Sequence, residues 1–554
     1  MSYIEKENRR QSSFLPDTIE EYVDEDNPVR VIDAFVDSLD LKALGFTKAE
    51  PASTGRPAYD PGDLLKLYIY GYMNKVRTSR GLMKECRRNI EVFYLLGKLK
   101  PDFRTIADFR KENADAIKKV FKEFVYLCNE HGLYIRELIA IDGTKIRARN
   151  SDDKAFNKDI LEKKLARINA HIEEYMDTID RLDESGEDDD EEDDHRLNKA
   201  KIETTLRELN KRKARYSKYL DHLNNSTDTQ ILLTDPEAHR MHTNNGFHRC
   251  YNIQAATDTE SHLICEYEVT NKTNDMGQLA GMSEKARAVL VLDNLTVVAD
   301  KGYDSRKDIL ATLMKGIIPN VAMKYDKDEM LFNMQYDESN ITDKIRNSKK
   351  PADIEKCFKA GISPTCFENS IVSVEIQNLA GIACFRRLDE NTVLCPMNKV
   401  LRKLKRRRDR QTIFKSREAC RTCDNRCTSS INPKEVCFVD GVKYVPVRMY
   451  GARKAINVLP KDAVISPISR ALSKKKASQK VIIRLKCDKE KLIKRMCTVE
   501  HPFGSIKWYG DAGYLLCKGK RKVSGEIGLS FLAYNIKRAI KMVGVKELIA
   551  AMGT

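Results

Sequence analysis

The stretch ELIAIDGTKIRARN, residues 137–150, constrains the fold of this chain more than any other. Leu138-Ile139-Ala140-Ile141 is a short apolar run with the length of a buried strand. It meets Asp142, and Lys145, Arg147 and Arg149 follow. A lone carboxylate at the tip of a core strand is expensive unless something pairs with it. The fold must therefore bring Asp142 a partner. A second stretch, NLTVVADKGYDS, has the same form: an apolar strand ending in Asp300, then Lys301 and Gly302. Gly302 permits a sharp turn off the sheet. If the two strands are neighbours, the two carboxylates converge at one end. A divalent cation would relieve their repulsion.

A third carboxylate is expected from elsewhere, and KLIKRMCTVEHPFGSIKWYG offers Glu500. Val499, Phe503 and Ile506 fall on one helical face, while Glu500 and Lys507, seven apart, share a neighbouring one. One helix would then present a metal-binding acid and a phosphate-binding cation to one groove. Pro502, preceded by His501, marks a kink or a helix start.

The charge balance points to the partner. The net charge is +16, yet DESGEDDDEEDD (183–194) alone holds ten acidic residues, which leaves about +26 on the rest of the chain. A chain this basic, with a pI near 9.0, is suited to nucleic acid. No run of 18 uninterrupted apolar residues is present, which argues against a transmembrane helix. The opening MSYIEKENRRQSSF lacks an apolar signal-peptide core, so a cytoplasmic location is expected.

Six regions follow from pattern and composition. Residues 1–130 read as a helical domain expected to bind DNA, with Asp60-Pro61 as N-cap and first helical residue of one helix. Residues 131–150 and 229–325 read as the two parts of a core in which strands give way to alternating helix and strand. Between them, 151–228 has helical period and dense charge on both sides of the acidic run, the pattern of an inserted antiparallel helical hairpin. In TNDMGQLAGMSEKARAVL a helix is expected with Thr273 or Asn274 near its cap. Residues 326–485 form a basic, cysteine-bearing insert, and 486–554 return to helix.

Fifteen cysteines without a secretion signal argue against a disulfide scaffold. One cluster stands apart. CRTCDNRC supplies Cys420, Cys423 and Cys427, with Cys395 upstream and Cys437 downstream. This spacing suits a small zinc ribbon closed by Cys395 or Cys437; reduced cysteines without metal are the alternative. Nearby, KVLRKLKRRRDR (399–410), including Arg406, Arg407 and Arg408, is expected to track phosphates. KGKRK (518–522) and SKKKASQK (473–480) extend that basic character. Trp508, the one tryptophan, is expected to pack in the core, with stacking on an unpaired base as the alternative. His239, His242 and His248 lack the spacing of metal ligands.

In IDGTKI, YNIQAATD, NKTND, VVADKGYDS, VEHPFGSIK and LAYNIKRAI the chain resembles the DDE-type insertion-sequence transposases. The resemblance extends to the helical N-terminal region and the cysteine-bearing insert. It implies a ribonuclease-H-like mixed α/β sheet flanked by helices, with Asp142, Asp300 and Glu500 as an acidic triad holding two Mg²⁺ (or Mn²⁺) ions. It also implies that Tyr303 and Lys507 lie near the DNA end, with Lys301 and Arg495 as further DNA contacts. The related signature places Tyr and Arg ahead of the Glu, with three residues between Arg and Glu. Here position 496 is Met and the nearest cation is Arg495.

The reaction implied is cutting at the terminal inverted repeats by water and joining of the freed 3′-hydroxyls to target DNA, without a covalent protein intermediate. A homodimer bridging two ends is implied by the reaction class. Tyr303 reads as a packing residue or a phosphate contact rather than a nucleophile. Two other readings are a nuclease that cuts but does not join, and a zinc-dependent DNA-binding protein with structural acids.

Overall fold

The first core strand does not stop at Asp142. In the computed structural model β1 spans Ile139–Arg147, because β5 (Gly246–Asp258) stays hydrogen-bonded to it along its whole length, from Ile139 opposite Asp258 to Arg147 opposite Cys250. The structure describes residues 18–553 except 52–53, 55–56, 137, 152–153, 185–191, 227–229, 244, 324–328, 338, 368–371, 378–382, 409–410, 424–426, 428–431, 440, 448, 450–454 and 460–479. The tip of the acidic run and most of SKKKASQK lie outside the described residues. Two units are distinguished: Met1–Tyr303 with Glu490–Thr554, and Asp304–Lys489.

In the first unit the sheet runs β4 (His239–Thr243), β5, β1, β7 (Leu295–Ala299), with β6 (Ile264–Thr270) pairing β5 beyond β4. β1 is antiparallel to β5 and parallel to β7, and β6 is antiparallel to β5. The result is a mixed α/β architecture. β6, β1 and β7 therefore point the same way, and whatever follows them in sequence gathers at one end of the sheet.

Ahead of the sheet lie helices Pro28–Asp37, Leu41–Leu44, Pro61–Met73, Ser79–Glu85, Ile90–Leu96, Phe103–Glu112 and Ala114–Glu130. Asp60 caps the third, taking the Gly62 N–H at 2.7 Å with Pro61 at the first helical position. The helix Ala114–Glu130 joins the sheet's own core. Phe121 meets Tyr267 of β6 edge to face at 5.1 Å, and Tyr267 meets Phe531 of the long helix Lys520–Val543 at 5.2 Å. Three fully buried rings of this size contribute several kcal/mol by area alone, about 25 cal/mol per Å². Gly525 of the long helix is required here: a Cβ would stand 2.8 Å from the Ala114 Cα.

The helices Lys158–Glu184 and Glu192–Asn225 pack as an antiparallel pair. Their base is closed by Phe156, Leu161 and Leu223 with Tyr216, Tyr219 and Ile231, where β2 (Ala155–Phe156) pairs β3 (Ile231–Leu232).

The second unit holds β8 (Ile317–Val321), a three-stranded sheet and a six-stranded sheet. The first is ordered β10 (Val372–Gln377), β17 (Lys480–Lys486), β9 (Glu329–Gln335). The second is ordered β15 (Val436–Val439), β14 (Gln411–Lys415), β13 (Val400–Arg408), β12 (Thr392–Leu394), β11 (Cys384–Arg387), β16 (Tyr444–Pro446). Its core is Phe385, Val393, Leu401, Phe414, Val436 and Phe438. Arg406, Arg407 and Arg408 belong to β13, while their side chains lie outside the described residues. Among the described residues no helix is long and apolar enough to cross a membrane.

Candidate active site

β1 and β7 pair only over Ile139–Ile141 opposite Val297–Ala299. Asp142 and Asp300 are the next residue on each strand, so they stand side by side where the parallel pair opens. Side chains alternate along a strand, which puts Leu138, Ala140 and Asp142 on one face, together with Val298 and Asp300. Leu138, Ala140 and Val298 form a buried cluster with Val499 of the helix Lys489–Gly504. Both acids thus lie on the face that this helix covers.

The cations after Asp142 do not neutralise it. Lys145 Nζ donates to the His242 carbonyl at 2.8 Å, Arg147 Nη2 lies 2.9 Å from His248 Nε2, and Arg149 is exposed. The nearest guanidinium is that of Arg495, with Nη1 3.8 Å from Asp142 Oδ2. Asp142 is 23% exposed. Burial pushes its carboxyl up and the Asp300 charge pushes further, against the Gly143 N–H at 2.9 Å and Arg495, to about 7. Asp300 accepts the Gly302 N–H at 2.8 Å and its carbonyl accepts the Tyr303 N–H at 3.1 Å, forming the turn Lys301–Tyr303.

A third carboxylate at this end is one that the sequence reading passed over. Asp275 follows β6 by five residues, and its Oδ1 accepts Nδ2 of Asn252 at 2.8 Å and Nε2 of Gln254 at 2.6 Å. Both amides project from β5, where Asn252 and Gln254 are buried among apolar residues. The Asp275 charge also raises Asp142. Gly143 has no side chain for a physical reason: a Cβ there would run into the Asp275 carboxylate and the Gln254 amide. Gly143→Ala is therefore expected to displace Asp275 and cut DNA cleavage by about tenfold or more, readable as initial rate on an end substrate with DNA binding as control. The signal was available: YNIQAATD sets two amides inside a buried strand, and NKTND sets an acid just beyond β6, the strand that follows it.

That helix cap is a correction. The helix is Leu279–Leu290 with Gln278 at its cap and no side-chain cap bond, so neither Thr273 nor Asn274 caps it. Gly277, at φ +76°, breaks the chain before it, and the segment ahead turns Asp275 towards the sheet.

Tyr303 packs beneath the acids. Its side chain is fully buried and its hydroxyl donates to Gln254 Oε1. Burial and then Asp275, Asp142 and Asp300 hold its phenol far above its ordinary range. That position corrects the expected phosphate contact, because no face of the ring is left for DNA. Lys301, one turn earlier, is exposed.

The helix Lys489–Gly504 runs through Pro502 instead of starting there, and continues as a π-helical turn over Ser505–Tyr509. Such turns interrupt the regular hydrogen-bond ladder. Lys507 on this turn reaches back to donate to Thr144 Oγ1, two residues past Asp142. Burial pushes its ammonium down, while Cys250 and Asp142 push it up. Trp508 is a correction: it is 83% exposed and lies outside the core, because the wide turn directs it outward. Tyr509 is also exposed.

Asp142, Asp275, Asp300, Arg495 and Lys507 are thus brought to one sheet end. Glu500, beside Val499 on the covering helix, is exposed, and the charges that shift Asp142 most are those of Asp300, Arg495 and Asp275. Among the described residues no three His, Cys, Asp or Glu side chains form a ready-made metal cluster. The donor set nevertheless fits a hard cation: two adjacent acids, one of them driven towards its neutral form by burial and then by the charge of the other.

Two family models match the chain. Residues 17–112 match the family described as a transposase domain (DUF772), and residues 134–408 match the family described as a transposase DDE domain. The second match takes in Asp142, Asp275 and Asp300 and stops short of Glu500. No curated protein matches the chain. Among solved structures, the piggyBac transposase synaptic complex with hairpin DNA is similar at 8% identity, over 95% of this chain and 84% of that one, with a TM-score of 0.23. A superposition that loose says nothing about strand order or site. The two family matches fall on the N-terminal helices and on the strands that carry the paired acids, and on that ground the chain belongs to the DDE-type insertion-sequence transposases, metal-dependent enzymes.

Proposed function

We propose that this transposase cuts DNA at the terminal inverted repeats of its element and joins the freed 3′-hydroxyls to target DNA by in-line phosphoryl transfer. Asp142, Asp300 and Glu500 would hold two Mg²⁺ (or Mn²⁺) ions on a ribonuclease-H-like sheet. One observation carries the reading: Asp142 and Asp300 each follow the last paired residues at the open end of a parallel strand pair, and burial, with the Asp300 charge added to it, raises Asp142 to about 7. Divalent ions bound there supply polarisation of the phosphodiester and acidify water at neutral pH.

The chain's own groups do the positioning. The backbone N–H groups of Gly143 and Gly302 fix the two carboxylates from behind. Asn252 and Gln254 hold Asp275 behind them, and Tyr303 locks Gln254 in turn. Lys507 is aimed along β1 at the same end, where an ammonium can bind a phosphate oxygen once DNA displaces Thr144. Lys145 and Arg147 lie on the other face of β1 beyond Asp142, and Arg149 follows the end of the strand, where it is exposed and can meet a phosphate. A buried Tyr303 leaves water and 3′-hydroxyls as the nucleophiles. Two subunits, one per element end, would form the working assembly.

Trp508 supports contact with unpaired DNA. An indole 83% exposed, next to Lys507, offers a stacking face worth about 1–3 kcal/mol per base. Trp508→Ala is expected to weaken binding of ends with unpaired terminal bases about tenfold and to leave fully paired ends nearly unaffected, measured by fluorescence anisotropy. Equal effects on both substrates would remove Trp508 from this role.

The test of the reaction uses purified protein, end-bearing DNA, a target plasmid and Mg²⁺. Cleavage followed by joining supports the proposal. Cutting without joining of pre-cleaved ends would make the protein a nuclease.

A further inference from the structure

We propose that Cys395, Cys420, Cys423 and Cys427 bind one zinc ion as a tetrathiolate site in the second unit, and that Cys437 takes no part.

The site begins at the turn between β12 and β13. There the Cys395 sulfur accepts the backbone N–H groups of Met397 and Lys399, each at 3.3 Å, with Asn398 in the left-handed region at φ +61°. Two amides folded around one sulfur stabilise its anionic form, the form that ligates metal. Such a turn around a merely structural thiol has no evident use.

The other three come from one segment. Cys420 lies in the last turn of the short helix Arg417–Arg421, which Ser416 caps through the Ala419 N–H. Cys423 lies two residues past the helix and Cys427 four beyond that. Lys399 ties the two regions together: its Nζ donates to the Thr422 carbonyl at 2.6 Å and lies 3.2 Å from the Thr422 hydroxyl. The same lysine thus gives an N–H to the Cys395 sulfur and grips Thr422, one of the two residues between Cys420 and Cys423. Cys395 and Cys427 also pack on one hydrophobic core, that of Phe385, Leu401 and Phe438. Cys395 lies within electrostatic range of Cys420 and Cys423, and Cys427 within that of Cys395 and Cys420. Thiolates gathered this closely suit a divalent cation.

Cys437 sits differently. It is a β15 residue opposite Ile413 of β14, within a regular ladder. None of the five is in a disulfide. Among the described residues the sulfurs are not already at metal geometry, so zinc binding would draw them together as thiols release protons to become ligands. This site is separate from the paired aspartates, and its test does not depend on them.

The experiment uses the full chain, expressed with zinc supplied and dialysed before metal analysis. About one zinc per chain is expected. Cys437→Ser should keep it, and the Cys420→Ser/Cys423→Ser double variant should lose it. Cobalt loading of the wild type should give thiolate-to-metal charge-transfer absorption. In case the double variant does not fold, thiol titration of native wild type before and after chelation gives a second reading. Chelation should make the four cysteines reactive while Cys437 stays unchanged. A wild type that takes up neither zinc nor cobalt, full zinc content in the double variant, or a thiol count unmoved by chelation would each overturn the proposal.

Discussion

Asp142→Asn is expected to abolish cleavage and, in the absence of divalent ions, to stabilise the protein at pH 8. The activity loss should be at least ~1,000-fold, about 4 kcal/mol of barrier, with DNA binding retained. The stability gain follows from the raised carboxyl. Asp142 ionises near 3.8 in the unfolded chain and near 7 in the folded one. Between these values the folded state binds more protons, so its stability falls as pH rises from about 4 to 7 and then levels off. The asparagine has no charge to bury and escapes that loss, worth on the order of 2–4 kcal/mol at one pH unit per 1.36 kcal/mol. Thermal unfolding should therefore show the variant several degrees above wild type at pH 8 without Mg²⁺, and nearly equal to it at pH 4. Adding Mg²⁺ should raise the wild type and not the variant. A variant less stable than wild type at pH 8 would show that Asp142 is not under the repulsion described.

Arg77→Ala is expected to cost about 3–5 kcal/mol, measured by denaturant unfolding. Arg77 and Glu526 are a buried ion pair, 2% and 0% exposed, with Nη2 2.7 Å from Oε1. The guanidinium also donates to the carbonyls of Asp511 and Tyr514, and it lies over the Tyr514 ring at 5.3 Å. Glu526 receives the Leu516 N–H at 3.0 Å and the Cys517 N–H at 2.7 Å. The N-terminal helical region therefore grips residues 511–517, the segment that leaves the π-helical turn carrying Lys507 and Trp508. Removing Arg77 strands a buried carboxylate and frees that segment. Glu526→Gln in the same chain should recover part of the loss, because no unpaired charge remains. Arg77→Lys should rescue little, since one ammonium cannot replace the forked donor set.

The paired acids were legible because each ends an apolar run too short for a helix, and a carboxylate in that place needs a reason. Where the strand ends was not legible. GTKIR contains a glycine and two cations, yet β5 pairs with it throughout, and only the departure of β7 exposes Asp142. Asp275 escaped notice because its role depends on Asn252 and Gln254, which reach it from a strand more than 20 residues earlier. Trp508 reads as core on hydrophobicity alone. The π-helical turn that sends it outward depends on how the chain closes between Gly504 and Gly510, where the Ser505 carbonyl takes the Gly510 N–H at 2.8 Å. For Glu500 the sequence supplies residue type and helix, while distance to the strand pair depends on rotation about a helix axis.

Metal preference tests the paired-acid account most directly. Asp142→Cys and Asp300→Cys replace hard oxygen ligands with sulfur, which binds Mg²⁺ poorly and accepts softer Mn²⁺. If these side chains touch the metal, each variant will bind end DNA normally, cut nothing in Mg²⁺, and regain cleavage in Mn²⁺. Cleavage in Mg²⁺ within a few-fold of wild type, by either variant, would contradict it.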